Sequence, residues 1–137
     1  MRQHIGYVTL LVRDYEEAKA WYCDILGFNL IEYTLLSDGK RWVLVAPPGS
    51  SETRLLLARA VGAEQMDRVG AQSRGRVLLF LHTDDFWRDF RALRRKGVRF
   101  CEEPRDESYG IVAVFEDLYG NRWDLLQLTC GCLTDNS

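Results

Sequence analysis

The alternation of apolar and polar positions sorts the chain into two stretches built to one plan. Residues 7–12, YVTLLV, read as a strand, and a period of two puts Tyr7, Thr9 and Leu11 on one face and Val8, Leu10 and Val12 on the other. After Asp14 the period changes to that of a helix, with Ala18, Trp21, Tyr22 and Ile25 on one side. Asp14 is placed to cap this helix, with Glu17 three positions on as in a capping box, and Gly27 to end it. Strands are expected over 28–36, 41–46 and 53–58, separated by the turn signals SDGKR and PPGSSE.

The same order returns in LLFLHTDDFWRDFRALRRKGV, where a short apolar strand again leads through Asp to a helix stopped by Gly. Asp84 or Asp85 caps this helix, and Phe86, Phe90 and Leu93 form its apolar stripe. Arg94, Arg95 and Lys96 crowd its last turn, where cations favour the helix dipole. Strands are expected over 98–102, 110–116 and 121–128. Asp14 matches Asp85 at a shift of 71 and Gly27 matches Gly97 at a shift of 70, so a βαβββ module is duplicated.

The fold class that follows is α+β, with two βαβββ modules. One helix for four strands covers one sheet face and leaves the other free to curl around something. The chain is expected to form a single domain over 1–137. Its parts are module 1 (4–60), a connector (61–75), module 2 (76–129) and a tail (130–137). The connector, VGAEQMDRVGAQSRG, is long enough to hold a short helix or to close over a site.

Composition narrows the classes of function. The 137 residues suit one core, and a net charge of −2 gives no general attraction for nucleic acid. No apolar run approaches the roughly 20 residues that span a bilayer, so no membrane partner is expected. The N-terminus carries no signal-peptide pattern, which points to the cytoplasm and reduced thiols. Of Cys23, Cys101, Cys130 and Cys132 only the last two are close. Their C-G-C pattern lacks a second zinc-spaced pair and reads as terminal tail.

The chemistry concentrates in FEDLYGNRWDLL, residues 115–126. Asp117 opens a turn and bonds its own backbone, and Gly120 and Asn121 close it. Asp124 then stands on an apolar strand, where a carboxylate is costly unless paired, hydrogen-bonded or bound to metal. The acidic run CEEPRDE, 101–107, reads as a solvated loop.

Two segments, LLVRDYEEAKAWYCDILGF and FEDLYGNRWDLLQ, resemble the vicinal oxygen chelate superfamily, the glyoxalase, bleomycin-resistance protein and extradiol dioxygenase family. The matching elements run from about residue 5 to 128. The resemblance implies two curved mixed sheets around a cup, in a homodimer. It also implies metal ligands at four positions, which fall on Tyr7, Leu56, Leu78 and Asp124. Leu cannot ligate, and one carboxylate with a Tyr does not hold a divalent ion, so no cofactor is expected. His82, on one face with Leu78 and Phe80, is the best substitute ligand. His4 precedes the first strand and is expected in solvent.

The same alignment turns Tyr7, Thr9 and Leu11 toward the cup, together with Arg122, Asp124 and Leu126, and puts Trp123 and Leu125 beneath a helix. Phe80, His82, Tyr33, Trp42, Tyr109 and Phe115 are further candidates for its wall. Aromatic bodies with few polar groups suit a flat or amphipathic organic molecule. Three roles stay open for Asp124: an ion pair with Arg122, a hydrogen bond from Tyr7 or a ligand's donor or cation, or a general base working with His82. The expected function is metal-free binding of a small organic molecule. The alternatives are a lyase, isomerase or dioxygenase-type enzyme with an atypical metal site or acid–base chemistry by Asp124 and His82, and a structural module with a filled cup.

Overall fold

A computed structural model of the chain describes residues 1–129, so Cys130 and Cys132 lie outside the described residues. Two compact units are present, Met1–Gln72 and a second that begins at Ser73.

In the first unit β1 (Tyr7–Val12), β2 (Asn29–Leu35), β3 (Arg41–Ala46) and β4 (Arg54–Arg59) form one sheet in the order β1-β4-β3-β2. β1 runs parallel to β4 and the other pairs are antiparallel. The turn between β2 and β3 is set by Asp38 and Gly39, at φ 55° and 76°, the double left-handed geometry whose twist matches a hairpin. Between β1 and β2 lies α1 (Tyr15–Ala20), started by Asp14, whose carboxylate accepts the Glu17 N–H at 2.9 Å. Residues Trp21–Ile25 continue it as a π-helical turn, with Leu26 N–H donating to the Trp21 carbonyl at 3.0 Å. The wider turn changes the angular spacing along the helix. The expected four-residue stripe narrows to Ala18 and Tyr22, both fully buried, while Trp21 and Ile25 are half-buried.

Alternation decides what α1 covers. Leu10 and Val12 of β1, Val43 and Val45 of β3 and Leu55 and Leu57 of β4 are buried on the α1 side. Tyr7 and Thr9 are exposed on the other face, as the period of two requires. Part of the connector is the short helix α2 (Gly62–Arg68). Beyond it Gln72 lies along β1, an edge strand. Its side-chain oxygen accepts the Leu11 N–H at 2.6 Å, and its amide donates to the Thr9 carbonyl at 3.1 Å. Those bonds occupy backbone groups that a bare edge would offer to another chain.

The second unit repeats the plan. β5 (Val77–His82), β6 (Arg105–Glu107), β7 (Gly110–Glu116) and β8 (Arg122–Leu128) pair in the order β5-β8-β7-β6, with β5 parallel to β8. Asp85, rather than Asp84, caps α3 (Phe86–Arg95) by accepting the Arg88 N–H at 3.1 Å, and Asp84 pairs with the Arg88 guanidinium at 2.8 Å. Beneath α3 a chain of rings carries the packing. Phe90 meets Phe100 at 4.6 Å, Phe100 meets Phe115 at 5.7 Å, and Phe115 stacks on Trp123 at 5.8 Å between centroids.

Two expectations are corrected in this unit. The strand expected over 98–102 is reduced to a single bridge between Phe100 and Phe115, and regular pairing begins only at Arg105. Pro104 offers no N–H and steers the residue before it, so the ladder restarts beyond it. The run 101–107 is correspondingly not a free solvated loop, because its last three residues are β6 and Arg105 pairs with Glu102 at 2.9 Å and with Glu107.

The β7–β8 turn is held by one side chain. One Asp117 oxygen accepts the N–H groups of Tyr119, Gly120 and Asn121 at 3.0, 3.0 and 2.9 Å, and the other accepts from the Asn121 side chain at 3.0 Å. Asp117→Ala leaves these donors unpaired in a buried turn. It is expected to cost about 2–4 kcal/mol in urea denaturation, with Asp117→Asn costing less.

Candidate functional site

Of the site residues expected from sequence, Tyr7, Thr9, Trp42, Phe80, His82, Arg122 and Asp124 fall on the faces turned away from the helices. On the first sheet Tyr7, Thr9, Trp42, Leu44 and Leu56 share that far face, since Thr9 stands opposite Leu56 and Leu56 opposite Leu44. Tyr7 is 53% exposed, and its ring meets Trp42 edge-on at 5.7 Å. The arrangement is an aromatic pair over an aliphatic floor.

Tyr33 does not join it, which corrects its place as a wall residue. A bulge between Leu30 and Glu32 resets the alternation of β2, and Tyr33 then stands opposite Val43 on the α1 side. There its hydroxyl donates to Glu16 and accepts from Arg41 Nη1 at 2.9 Å.

On the second sheet the far face carries Phe80 and His82 from β5, Arg122, Asp124 and Leu126 from β8, and Val112, Val114 and Glu116 from β7. The register places Asp124 between Phe80 and Val114. Phe80 is 58% exposed, whereas Asp124 is only 9% exposed. The β5 ladder shifts register between Val77 and Leu79, so the irregularity falls at Leu78. Phe115 is again a correction: it is fully buried in the ring chain beneath α3, on the opposite face.

Asp124 is the anomaly of this face. Its Oδ1 is buried and has no hydrogen-bond partner among the described residues. Burial pushes the carboxyl up from the ordinary 3.8, Arg105 opposes that shift, and Glu102 adds to it. Arg105 is not free to neutralise Asp124 fully, because it is shared among Glu102, Glu107 and the Tyr109 hydroxyl. Tyr109 therefore belongs to this charged network at the β6 edge. Sequence reasoning missed the network, although its signal, one Arg set among acids in EEPRDE, was present.

The partners weighed for Asp124 within this unit are not engaged. Arg122 stands opposite Glu116 and forms no ion pair with Asp124 among the described residues. His82 stands opposite Leu126, two register pairs beyond Phe80, and no hydrogen bond joins it to Asp124 among those residues. A separate pocket of about 310 Å³ is lined by Trp87, Asp106 and Gln127 at the start of α3, and it contains none of the expected site residues.

A divalent ion does not fit the donor set. Leu56 and Leu78 carry no ligand atom, and no group of three or more His, Cys, Asp or Glu suited to a metal occurs among the described residues. Nor is any helix among them long and apolar enough to cross a membrane.

Residues 4–125 match the Glyoxalase/Bleomycin resistance protein/Dioxygenase superfamily. The chain belongs to that superfamily. An uncharacterized protein of Shewanella frigidimarina (strain NCIMB 400) is 54% identical over 129 residues, covering 93% of this chain and 96% of the relative. Among solved structures the superfamily resemblance extends to TnmS3, an antibiotic binding protein from Streptomyces sp. CB03234, with 30% identity and a TM-score of 0.77 over 93% of this chain and 98% of that one. UcmS2 superposes with a TM-score of 0.80 at 29% identity, over 92% of this chain and 98% of that one.

The raised Asp124 carboxyl has a consequence for stability. A group that holds its proton more tightly when folded lowers stability as pH rises from its unfolded value through its folded value. Asp124→Asn removes that cost. At pH 7 it is expected to be about 1 kcal/mol more stable than the parent in urea denaturation, with the gain vanishing as the pH falls below the ordinary Asp value.

Proposed function

We propose that the chain binds small organic molecules on the face of each sheet that is turned away from its helix, without a metal, and does so as a homodimer. One observation carries the reading. Asp124 keeps a buried oxygen with no partner among the described residues, on a sheet face whose neighbouring side chain is an exposed Phe80. A chain that needed only stability gains nothing from that carboxylate, whereas a ligand donor satisfies it. The exposed Tyr7 edge-on to Trp42 adds flat apolar surface of the kind that stacks on ring systems. The resemblance to TnmS3, itself described as an antibiotic binding protein, agrees with this reading.

The raised Asp124 carboxyl is the observation that favours the enzymatic alternative, in which Asp124 moves a proton with His82 on the same face. Binding is preferred because no hydrogen bond orients His82 toward Asp124 among the described residues.

A thermal-shift screen of aromatic metabolites and antibiotics tests the proposal. A ligand present at about 100 times its Kd is expected to stabilise the protein by about 2.7 kcal/mol. Tyr7→Ala is expected to weaken the best ligand about tenfold, a loss of about 1.4 kcal/mol. Tightly held divalent metal at one ion per chain, lost in Asp124→Ala, would overturn the metal-free reading. Turnover of a methylglyoxal–glutathione hemithioacetal abolished by Asp124→Asn would establish the enzyme instead, and none is expected.

A further inference from the structure

We infer that Asp124 anchors a cationic nitrogen carried on an aromatic ligand whose ring lies against Phe80. The inference rests on the small-molecule reading above and adds the chemical class of the ligand.

Three observations on the second sheet converge on that class. The first is the Oδ1 of a carboxylate that is 9% exposed, an atom with no hydrogen-bond partner among the described residues. Rotation about the last Asp torsion exchanges its two oxygens, so either can take a donor arriving from the far face. The second is the balance of charge. Asp124, Glu102 and Glu107 present three carboxylates to the single guanidinium of Arg105, which is committed to Glu102 at 2.9 Å and to Glu107. Arg122 does not redress this, since it stands opposite Glu116 rather than Asp124. The third is the neighbour in register, Phe80, an apolar ring 58% exposed on the edge strand.

These select among ligands by sign. A protonated amine meets the carboxylate with a charge-assisted hydrogen bond and corrects the negative excess. A neutral donor supplies the bond without the charge, and an anion is repelled by an already acidic neighbourhood. The aromatic body supplies contact with Phe80, against which the cation also gains from the ring face.

Three probes that share one ring separate these cases: tryptamine, 3-methylindole and indole-3-acetate. Each is titrated into the full-length, ¹⁵N-labelled protein and followed by amide shifts. Tryptamine is expected to move the Phe80, Val114 and Asp124 resonances, and to bind about tenfold more tightly than 3-methylindole. Indole-3-acetate is expected to leave those resonances unmoved. Asp124→Asn is expected to weaken tryptamine about tenfold while leaving 3-methylindole unchanged, and Phe80→Ala to weaken both. The inference is overturned if tryptamine leaves these resonances unmoved at about 5 mM, if indole-3-acetate binds as well, or if Asp124→Asn binds tryptamine like the parent. If 3-methylindole equals tryptamine in both proteins, the cation assignment fails while the small-molecule reading stands.

Discussion

The parallel pairing of the first and last strand in each unit is the constraint on which the rest depends. β1 beside β4 and β5 beside β8 bring together the two ends of each βαβββ run. A parallel return requires a crossover, and its helix must lie over one face of the sheet. Once α1 and α3 occupy that face, strand alternation commits every second residue of β1, β4, β5 and β8 to the core and leaves the others on the far side. Tyr7 beside Arg54 and Phe80 beside Asp124 are consequences of this pairing. Only the choice of side chain at those positions remained open to function.

Two buried carboxylates on one hairpin show how that choice was used. Asp117 is 6% exposed and accepts four hydrogen bonds from its own turn. Its burial is offset within residues 117–121. Asp124 is 9% exposed and has an oxygen with no donor among the described residues. Burial cost alone would favour an apolar side chain at that position, as at Leu126 and Val114 on the same face. A buried group that lowers stability is what a binding function asks of a fold that could be more stable without it.

Much of this was legible in the sequence because local chemistry decided it. The caps at Asp14 and Asp85, the hairpin at Asp38 and Gly39 and the Asp117 turn follow from side chains that bond their own backbone. The far-face placing of Tyr7 and Asp124 followed from the period of two within β1 and β8, whereas Phe80 was read from Leu78, where the β5 register shifts, and Trp42 was a wall candidate whose face only the β2–β3–β4 register assigns. Tyr33 was misplaced because a bulge beside Ile31 inverts parity, and an extra residue in one strand leaves no mark in a hydrophobic pattern. Phe115 was misplaced because a large aromatic fits a pocket wall and a core equally well until its register is known. β6 was displaced because Pro104 interrupts the ladder after the single Phe100–Phe115 bridge. The Arg105 network was missed although its charge pattern was in the sequence, because Arg105 and Glu107 acquire a shared direction only once β6 is paired with β7.

Leu stands at positions 56 and 78, where the family resemblance implies metal ligands, and this limits what Asp124 can hold. A divalent ion gives up a tightly bound water shell and needs several oxygens or imidazoles in return, which Asp124 alone cannot supply. An alkylammonium carries one charge, and its hydrocarbon body loses nothing by leaving water. One carboxylate satisfies its nitrogen, and aliphatic and aromatic neighbours such as Val114 and Phe80 suit the rest of it. Leu at these two positions supplies apolar surface rather than a donor, which under the binding proposal suits an organic ligand on each sheet taken by itself. Under the binding proposal the far face of the second sheet holds one charge, Asp124, and sets it among carbon at Phe80, Val114 and Leu126.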